Sequence, residues 1–203
     1  MPDDATTGAT PLVKRRHWVF DMDGTLTVAA HDFAAIRRAL DIPFDQPILE
    51  TIARLPPDEA ARKTELLDEL EHEAAERSRP MPGAADLLKS LHDNGVQLGI
   101  LTRNNLPCAH ITLAACGFDH YFGEPTLLHR DSCAPKPEPD GVIKLLKHWQ
   151  ASADDAVMVG DYLYDLQAGR RAGTGTIYLD TSGQFTFRDH ADFCVASLSD
   201  IAL

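Results

Sequence analysis

Carboxylate side chains follow two short apolar segments of this sequence. Asp21 and Asp23 come directly after one segment, and Asp161 and Asp165 come after another. In an open parallel sheet, ligands bind beyond the carboxyl ends of the strands. If the two segments are parallel strands, the four carboxylates therefore converge on one site.

A hydroxyl, an amide and two basic groups extend this pattern. Thr102, Arg103 and Asn104 end a third apolar segment, and Lys136 lies in a proline-rich loop. Thr102 and Lys136 are suited to hydrogen-bond phosphate oxygens and to offset charge that develops on them. Structural roles are also open, because Thr102 or Asn104 could cap the next helix and Arg103 could form a surface ion pair. These four residues are the candidate substrate contacts.

The carboxylates also predict a metal ion. Two like charges about 4 Å apart repel by roughly 4 kcal/mol at an effective dielectric constant of about 20. Four carboxylates at one site therefore cannot all be ionised without a cation. Oxygen ligands favour a hard ion, and Mg²⁺ binds through a few carboxylates together with a substrate phosphate. The chemistry indicated is phosphoryl transfer to an aspartate.

Four motifs of the sequence resemble, in the same order, those of the haloacid dehalogenase superfamily. They are Asp-Met-Asp-Gly-Thr-Leu-Thr at 21–27, Leu-Thr-Arg-Asn at 101–104, Lys-Pro at 136–137 and Gly-Asp-x-x-x-Asp at 160–165. The resemblance covers roughly residues 17–180, and the stretch 82–103 is most similar to the phosphoglycolate-phosphatase-like branch. It implies that Thr102 and Lys136 bind phosphate during catalysis.

The resemblance also implies a role for each matching carboxylate. Asp21 would be the nucleophile that forms an aspartyl phosphate, and Asp23 would be the general acid and base. Mg²⁺ would be held by Asp21, Asp161 and the backbone carbonyl of Asp23. Asp165 would support the metal or the lysine from outside, although it could equally satisfy the start of its own helix.

Alternating strand and helix patterns would position these residues. Strand patterns cover 17–20, 96–101, 126–128, 156–159, 176–179 and 193–195. Helical patterns lie between the later ones, around 87–94, around 110–116, at 141–149 and from 166. This alternation predicts an α/β fold with a parallel, doubly wound, Rossmann-like sheet.

The stretch after the first strand is longer than a single crossover helix requires, and its periodicity is helical throughout. The resemblance identifies it as a small α-helical cap, somewhat shorter than is usual in that branch. The predicted division is an α/β phosphatase core of residues 14–28 and 80–203, a cap insertion of residues 29–79, and a disordered tail of residues 1–13. Arg54 is a candidate specificity residue in the cap.

Composition excludes several classes of partner. The chain has 203 residues, of which 31 are acidic and 19 basic, and its net charge of −12 argues against nucleic acid or an anionic membrane as partner. The sequence shows no membrane-spanning run and no secretory signal pattern, so we expect a cytoplasmic location. The four cysteines lack paired spacing and are expected to be reduced thiols. Composition does not predict the oligomeric state.

These observations favour a Mg²⁺-dependent phosphomonoester hydrolase. Its substrate would be a small phosphorylated metabolite, similar to phosphoglycolate or a sugar phosphate. A phosphomutase of the same fold remains open. A dehalogenase is disfavoured because it has no need of Asp23, and a phospho-receiver module is disfavoured because it needs no inserted cap.

Overall fold

A computed structural model of the chain describes residues 11–28 and 33–202. The predicted tail up to residue 10, and the first residues of the predicted cap, lie outside the described residues. Leu12–Lys14 form a short 3₁₀ helix, and Leu12 packs against the core. A β-carbon added to Gly175 would come within 2.1 Å of Leu12 Cδ2. Regular structure thus begins earlier than the sequence pattern predicted, because an apolar side chain meets a strand that has no side chain at that point.

Six parallel strands form one sheet with the order β3-β2-β1-β4-β5-β6. They are β1 His17–Phe20, β2 Gln97–Leu101, β3 Leu127–Leu128, β4 Ala156–Gly160, β5 Gly175–Leu179 and β6 Phe193–Val195. The central strands are almost continuous apolar runs, as expected for parallel strands that are covered on both faces. The predicted α/β fold class is confirmed.

Helices cover both faces of the sheet. The seven α-helices of the described residues are α1 Phe33–Ala39, α2 Ile48–Ile52, α3 Pro57–Glu76, α4 Ala84–Asp93, α5 Leu106–Cys116, α6 Asp140–Trp149 and α7 Leu163–Ala172. Within β1, Trp18 and Phe20 belong to the core beneath α4 and α5, whereas Val19 belongs to the core beneath α6 and α7. Successive strand residues point to opposite faces, so the two cores lie on either side of one sheet.

The first three helices, which we call the inserted helices, have a small core of their own. It is formed by Ile36, Leu40, Ile42, Ile52 and Leu67. The chain segments that lead into and out of this part are paired, because Val28 N donates to the carbonyl of Arg79 and Met81 N to that of Leu26, both at 2.9 Å. The boundaries of the core and the cap remain a prediction.

The sheet register explains how distant segments meet. Phe20 at the end of β1 pairs with Ile100 of β2 on one side and with Val159 of β4 on the other. The chain runs from β1 to β2 on one flank and returns to β4 on the opposite flank, so a crevice opens at the carboxyl end of β1. No helix among the residues the structure describes is long and apolar enough to cross a membrane.

Candidate active site

The turn after β1 begins the site. Asp21 N donates to the carbonyl of Val159 at 2.9 Å, which extends the pairing of β1 with β4. Buried Met22 and Leu26 anchor the turn in the core. Gly24 has φ +88°, and a β-carbon there would come within 2.3 Å of Asp161 Oδ2. Glycine therefore allows both the backbone conformation and the close approach of Asp161.

Three carboxylates, which we call the carboxylate cluster, meet at this turn. Oxygens of Asp21, Asp161 and Asp165 lie within 4.8 Å of one another. Burial raises the pKa of each to about 6. Attraction to Lys136 opposes the rise in the pKa of Asp21, whereas repulsion from Asp161 and Asp23 adds to that rise. The cluster is thus a compact set of oxygen ligands with more negative charge than its surroundings balance, and it fits a hard divalent cation.

Lys136 is the cation that the chain itself supplies. Its side chain is almost fully buried, and Nζ contacts Asp21 Oδ1 and lies 2.7 Å from Asp165 Oδ1. Burial would lower the pKa of Lys136, but attraction to Asp165 and Asp21 outweighs it and raises the pKa overall. Asp165 also accepts a hydrogen bond from Tyr162 N at 3.0 Å, so it lies both against the lysine and at the start of α7.

Asp23 lies outside the carboxylate cluster and has different partners. Asn104 Nδ2 donates to Asp23 Oδ2 at 2.7 Å, and Thr27 Oγ1 lies 3.5 Å from the other carboxylate oxygen. The sequence placed Asn104 among the substrate contacts, and the structure places its amide against Asp23. No sequence pattern pointed to this contact, because 81 residues separate the two partners.

Thr102 follows the last residue of β2 and is buried. Its Oγ1 accepts a hydrogen bond from Asn104 N at 3.1 Å, which leaves the hydroxyl hydrogen free to donate. The alternative that Thr102 or Asn104 caps the next helix is wrong, because Asn105 caps α5 by accepting from Cys108 N at 2.8 Å. With Asn105 as cap and Pro107 in its first turn, α5 begins earlier than the sequence pattern predicted.

A cavity of about 290 Å³ lies between α2 of the inserted helices and the sheet. Thr102 and Lys136 line one part of it, and Glu50 of α2 lines another. Arg103 joins the two sides, since its Nη2 lies 2.6 Å from Glu50 Oε1. Arg54 is exposed and does not line this cavity.

A second ionic contact ties the inserted helices to the loop after β3. Arg130 Nη2 contacts Glu71 Oε2, and Arg130 Nη1 lies 3.8 Å from Asp68 Oδ1. Asn105 Nδ2 donates to the same Asp68 oxygen at 2.9 Å. Sequence reasoning missed Glu50 and Arg130, because helical and loop charges carry no local signal that distinguishes a tertiary contact from a solvated face.

Comparisons with known proteins give a consistent result. The model of a hydrolase family, described as haloacid dehalogenase-like hydrolase, matches residues 48–173. A haloacid dehalogenase-like hydrolase domain-containing protein of Arabidopsis thaliana, At2g33255, is 33% identical over 201 residues, covering 90% of this chain and 80% of that protein. An N-acetylmuramic acid 6-phosphate phosphatase of Pseudomonas aeruginosa is 27% identical over 179 residues, covering 78% of each chain. A solved hydrolase structure from Pseudomonas syringae has a TM-score of 0.77 at 25% identity, covering 92% of this chain and 96% of that one.

Proposed function

This chain belongs to the haloacid dehalogenase-like hydrolase family and is a phosphatase, and from this premise we propose that it hydrolyses the phosphomonoester of a small metabolite with Mg²⁺ through an aspartyl-phosphate intermediate. The observation that carries the proposal is the buried carboxylate cluster with Lys136 at the carboxyl ends of β1 and β4. In this proposal these side chains supply a nucleophilic carboxylate, metal ligands and a cation for phosphate within one crevice.

In this proposal Asp21, Asp161 and the backbone carbonyl of Asp23 hold Mg²⁺. The bound ion supplies positive charge that offsets the charge of the phosphate group. The residues fit this task, because the carboxylate oxygens of Asp21 and Asp161 are close together and burial penalises their ionised forms. A divalent cation would favour those ionised forms again.

The chain's own side chains then carry the reaction in two steps. A carboxylate oxygen of Asp21 attacks phosphorus in line, and Asp23 donates a proton to the departing alkoxide. Asp23 next takes a proton from a water molecule that attacks the phosphorus of the aspartyl phosphate, which frees phosphate and restores Asp21. Thr102 and Lys136 donate hydrogen bonds to the phosphate oxygens throughout.

The inserted helices serve as a cap in this proposal. The cavity beneath α2 is at the small end of the range of about 300 to 1,000 Å³ usual for ligand sites. It suits a small phosphate ester, similar to phosphoglycolate or a sugar phosphate, and is too small for a nucleic acid or a protein substrate. A cytoplasmic location and the absence of a membrane partner, expected from the sequence, are part of the same proposal.

Phosphate release from p-nitrophenyl phosphate in the presence of Mg²⁺ tests the proposal. Asp21→Asn should lower kcat at least about a thousandfold, the scale on which loss of a nucleophile acts. Asp154→Asn, which removes an exposed carboxylate just before the amino end of β4, at the opposite edge of the sheet from the site, is the control and should leave kcat unchanged. A folded Asp21→Asn variant that kept a tenth of the activity would exclude Asp21 as nucleophile. Sustained phosphate release also distinguishes the hydrolase from a dehalogenase and a receiver module.

A further inference from the structure

Two polar atoms on residues that line the cavity beneath α2 have no partner in the part of the chain that the structure describes. Both Oε2 of Glu50 and Nε of Arg130 are buried and make no hydrogen bond. Buried polar atoms are nearly always hydrogen-bonded, and an unmade bond is costly. One of these atoms is an acceptor and the other a donor, and both residues line the cavity that also contains Thr102 and Lys136.

The positive charges of the cavity are already engaged. Among the described lining residues, Arg103 pairs with Glu50, Arg130 pairs with Glu71, and Lys136 pairs with the carboxylate cluster. An anionic group on the far end of a substrate would find no uncommitted lysine or arginine there. It would instead meet the carboxylate of Glu50, which repels it.

Arg103 holds Glu50 in place. The bond from Arg103 Nη2 to Glu50 Oε1 uses one carboxylate oxygen and leaves Oε2 as the remaining acceptor. Arg103 directly follows Thr102 in the chain, so the candidate phosphate contact and the anchor of Glu50 lie on adjacent residues. The distance between the phosphate position and Glu50 is thereby set by the end of β2.

We propose that Glu50 is a specificity-determining residue that selects a leaving group bearing hydroxyls and rejects one bearing a carboxylate or a second phosphate. Once a turn of each side chain exposes these atoms to the cavity, a hydroxyl can donate to Glu50 Oε2 and another can accept from Arg130 Nε. The substrate class is thus a polyol or sugar phosphate, which is narrower than the small phosphate esters named above. This inference rests on the proposed phosphatase function.

Matched substrate pairs test the selection with the intact protein and Mg²⁺. 2-Hydroxyethyl phosphate and 2-phosphoglycolate share a two-carbon frame and differ in a hydroxyl against a carboxylate. Glycerol 3-phosphate and 3-phosphoglycerate form a second such pair. Because like-charge contacts and unmade hydrogen bonds both penalise the acid, we expect kcat/KM to be at least about tenfold higher for the hydroxyl member of each pair.

A charge-removing variant ties the preference to Glu50. Glu50→Gln keeps the shape and an acceptor oxygen but removes the charge, so kcat/KM for the two acids should rise. The ratio of kcat/KM between the hydroxyl member and the acid member of each pair should fall by about fivefold or more. Glu73→Gln removes an exposed charge from α3 and should leave the preference as it is in the parent. Circular dichroism checks that both variants are folded.

The outcomes separate the inference from the proposed function. If p-nitrophenyl phosphate is hydrolysed but the acids are preferred, or if neither member of a pair is preferred, the selection by Glu50 is wrong and the phosphatase function stands. The same holds if the preference is present but unchanged in folded Glu50→Gln. If the parent hydrolyses no ester at all, including p-nitrophenyl phosphate, the proposed function is wrong and the inference is wrong with it.

Discussion

At the scale of single residues, Asn104 is notable because its amide faces the proposed general acid and base. The 2.7 Å hydrogen bond to Asp23 Oδ2 fixes the orientation of a carboxylate that lies outside the carboxylate cluster. Asn104 is itself held by its backbone bond to Thr102 Oγ1. A proton donor must be positioned within hydrogen-bond reach of the leaving oxygen, so a residue that orients Asp23 affects the step in which that proton moves.

We therefore expect Asn104→Ala to slow esters with poor leaving groups more than aryl phosphates. The loss in kcat for alkyl phosphates should be roughly 10- to 100-fold, within the usual contribution of general acid catalysis. The loss for p-nitrophenyl phosphate should be smaller, because its phenolate departs with less help. The measurement is kcat for a series of esters that differ in leaving-group pKa.

The neighbouring asparagine is the matched control for this prediction. Asn105 caps α5 and contacts Asp68, so Asn105→Ala should lower stability by about 1 kcal/mol without changing the dependence on the leaving group. Equal losses of kcat on all esters in Asn104→Ala would contradict the positioning role and would indicate a general structural defect.

A second residue-scale prediction concerns Asp161 and the metal. Burial is the main cause that raises the pKa of Asp161 to about 6, and repulsion from Asp165 adds to it. Without metal, the protonated form of Asp161 therefore stabilises the folded chain relative to the ionised form. That stabilisation is complete below the ordinary pKa of 3.8 and is lost as pH rises through about 6. At about pH 7, Asp161→Asn should therefore be more stable than the metal-free parent by on the order of 2 kcal/mol, with little difference at about pH 4.

Thermal unfolding with and without Mg²⁺ measures both parts of this prediction. Mg²⁺ should raise the Tm of the parent, because it binds the folded state and relieves the repulsion in the carboxylate cluster. The rise should be largely absent in Asp161→Asn. An equal Mg²⁺-dependent rise in both proteins would show that Asp161 is not a ligand.

At the scale of elements, the turn after β1 brings two strand ends together. Gly24 in this turn has φ +88°, and a β-carbon added there would collide with Asp161. Gly183 has φ +71°, but a β-carbon added there would meet open space. The two glycines thus share the backbone requirement and differ only in the close approach. This difference allows strain and site geometry to be separated experimentally.

We expect Gly24→Ala to lower kcat for p-nitrophenyl phosphate at least about tenfold, because a misplacement of about 1 Å in a catalytic site is enough for a loss of that size or more. Gly183→Ala should cost a similar backbone strain of about 1 to 3 kcal/mol but should keep kcat. Activity assays and thermal unfolding of both variants provide the test. Unchanged kcat in Gly24→Ala would mean that the approach of Asp161 to the turn is not needed for catalysis.

At the scale of the whole molecule, several polar contacts near the site join the inserted helices to the core. The two ends of the insertion are adjacent, because Val28 N donates to the carbonyl of Arg79. A short linker can therefore bridge the gap if residues 30–78 are removed. An uncovered site at the strand ends would be open to water and to larger substrates.

Replacement of residues 30–78 by a short Gly/Ser linker should weaken hydrolysis of the preferred small ester by orders of magnitude. Hydrolysis of p-nitrophenyl phosphate should fall much less, and a phosphotyrosine peptide should become a better substrate than it is for the parent. Circular dichroism must first show that the shortened chain is folded. Full activity on the small ester, with no gain on the peptide, would exclude the inserted helices as a substrate gate.

The sequence by itself determined the parallel α/β fold and the family. Strand and helix patterns are local, and the rule that parallel strands place their carboxyl ends together converts local patterns into a shared edge. The meeting of Asp21, Asp161 and Asp165 could thus be anticipated from their positions after β1 and β4. The start of α5 was placed too late, since Asn105 and Pro107 form a helix start that apolar periodicity does not register.

Only the tertiary structure decided which side chains pair. Asn104 meets Asp23 across 81 residues, Arg103 meets Glu50 across 53, and Arg130 meets Glu71 across 59. Such contacts leave no periodic trace, because a charged side chain on a helix looks the same in sequence whether it faces solvent or a cavity. Its partner depends on how the inserted helices pack over the sheet, which is a property of long-range packing rather than of local pattern.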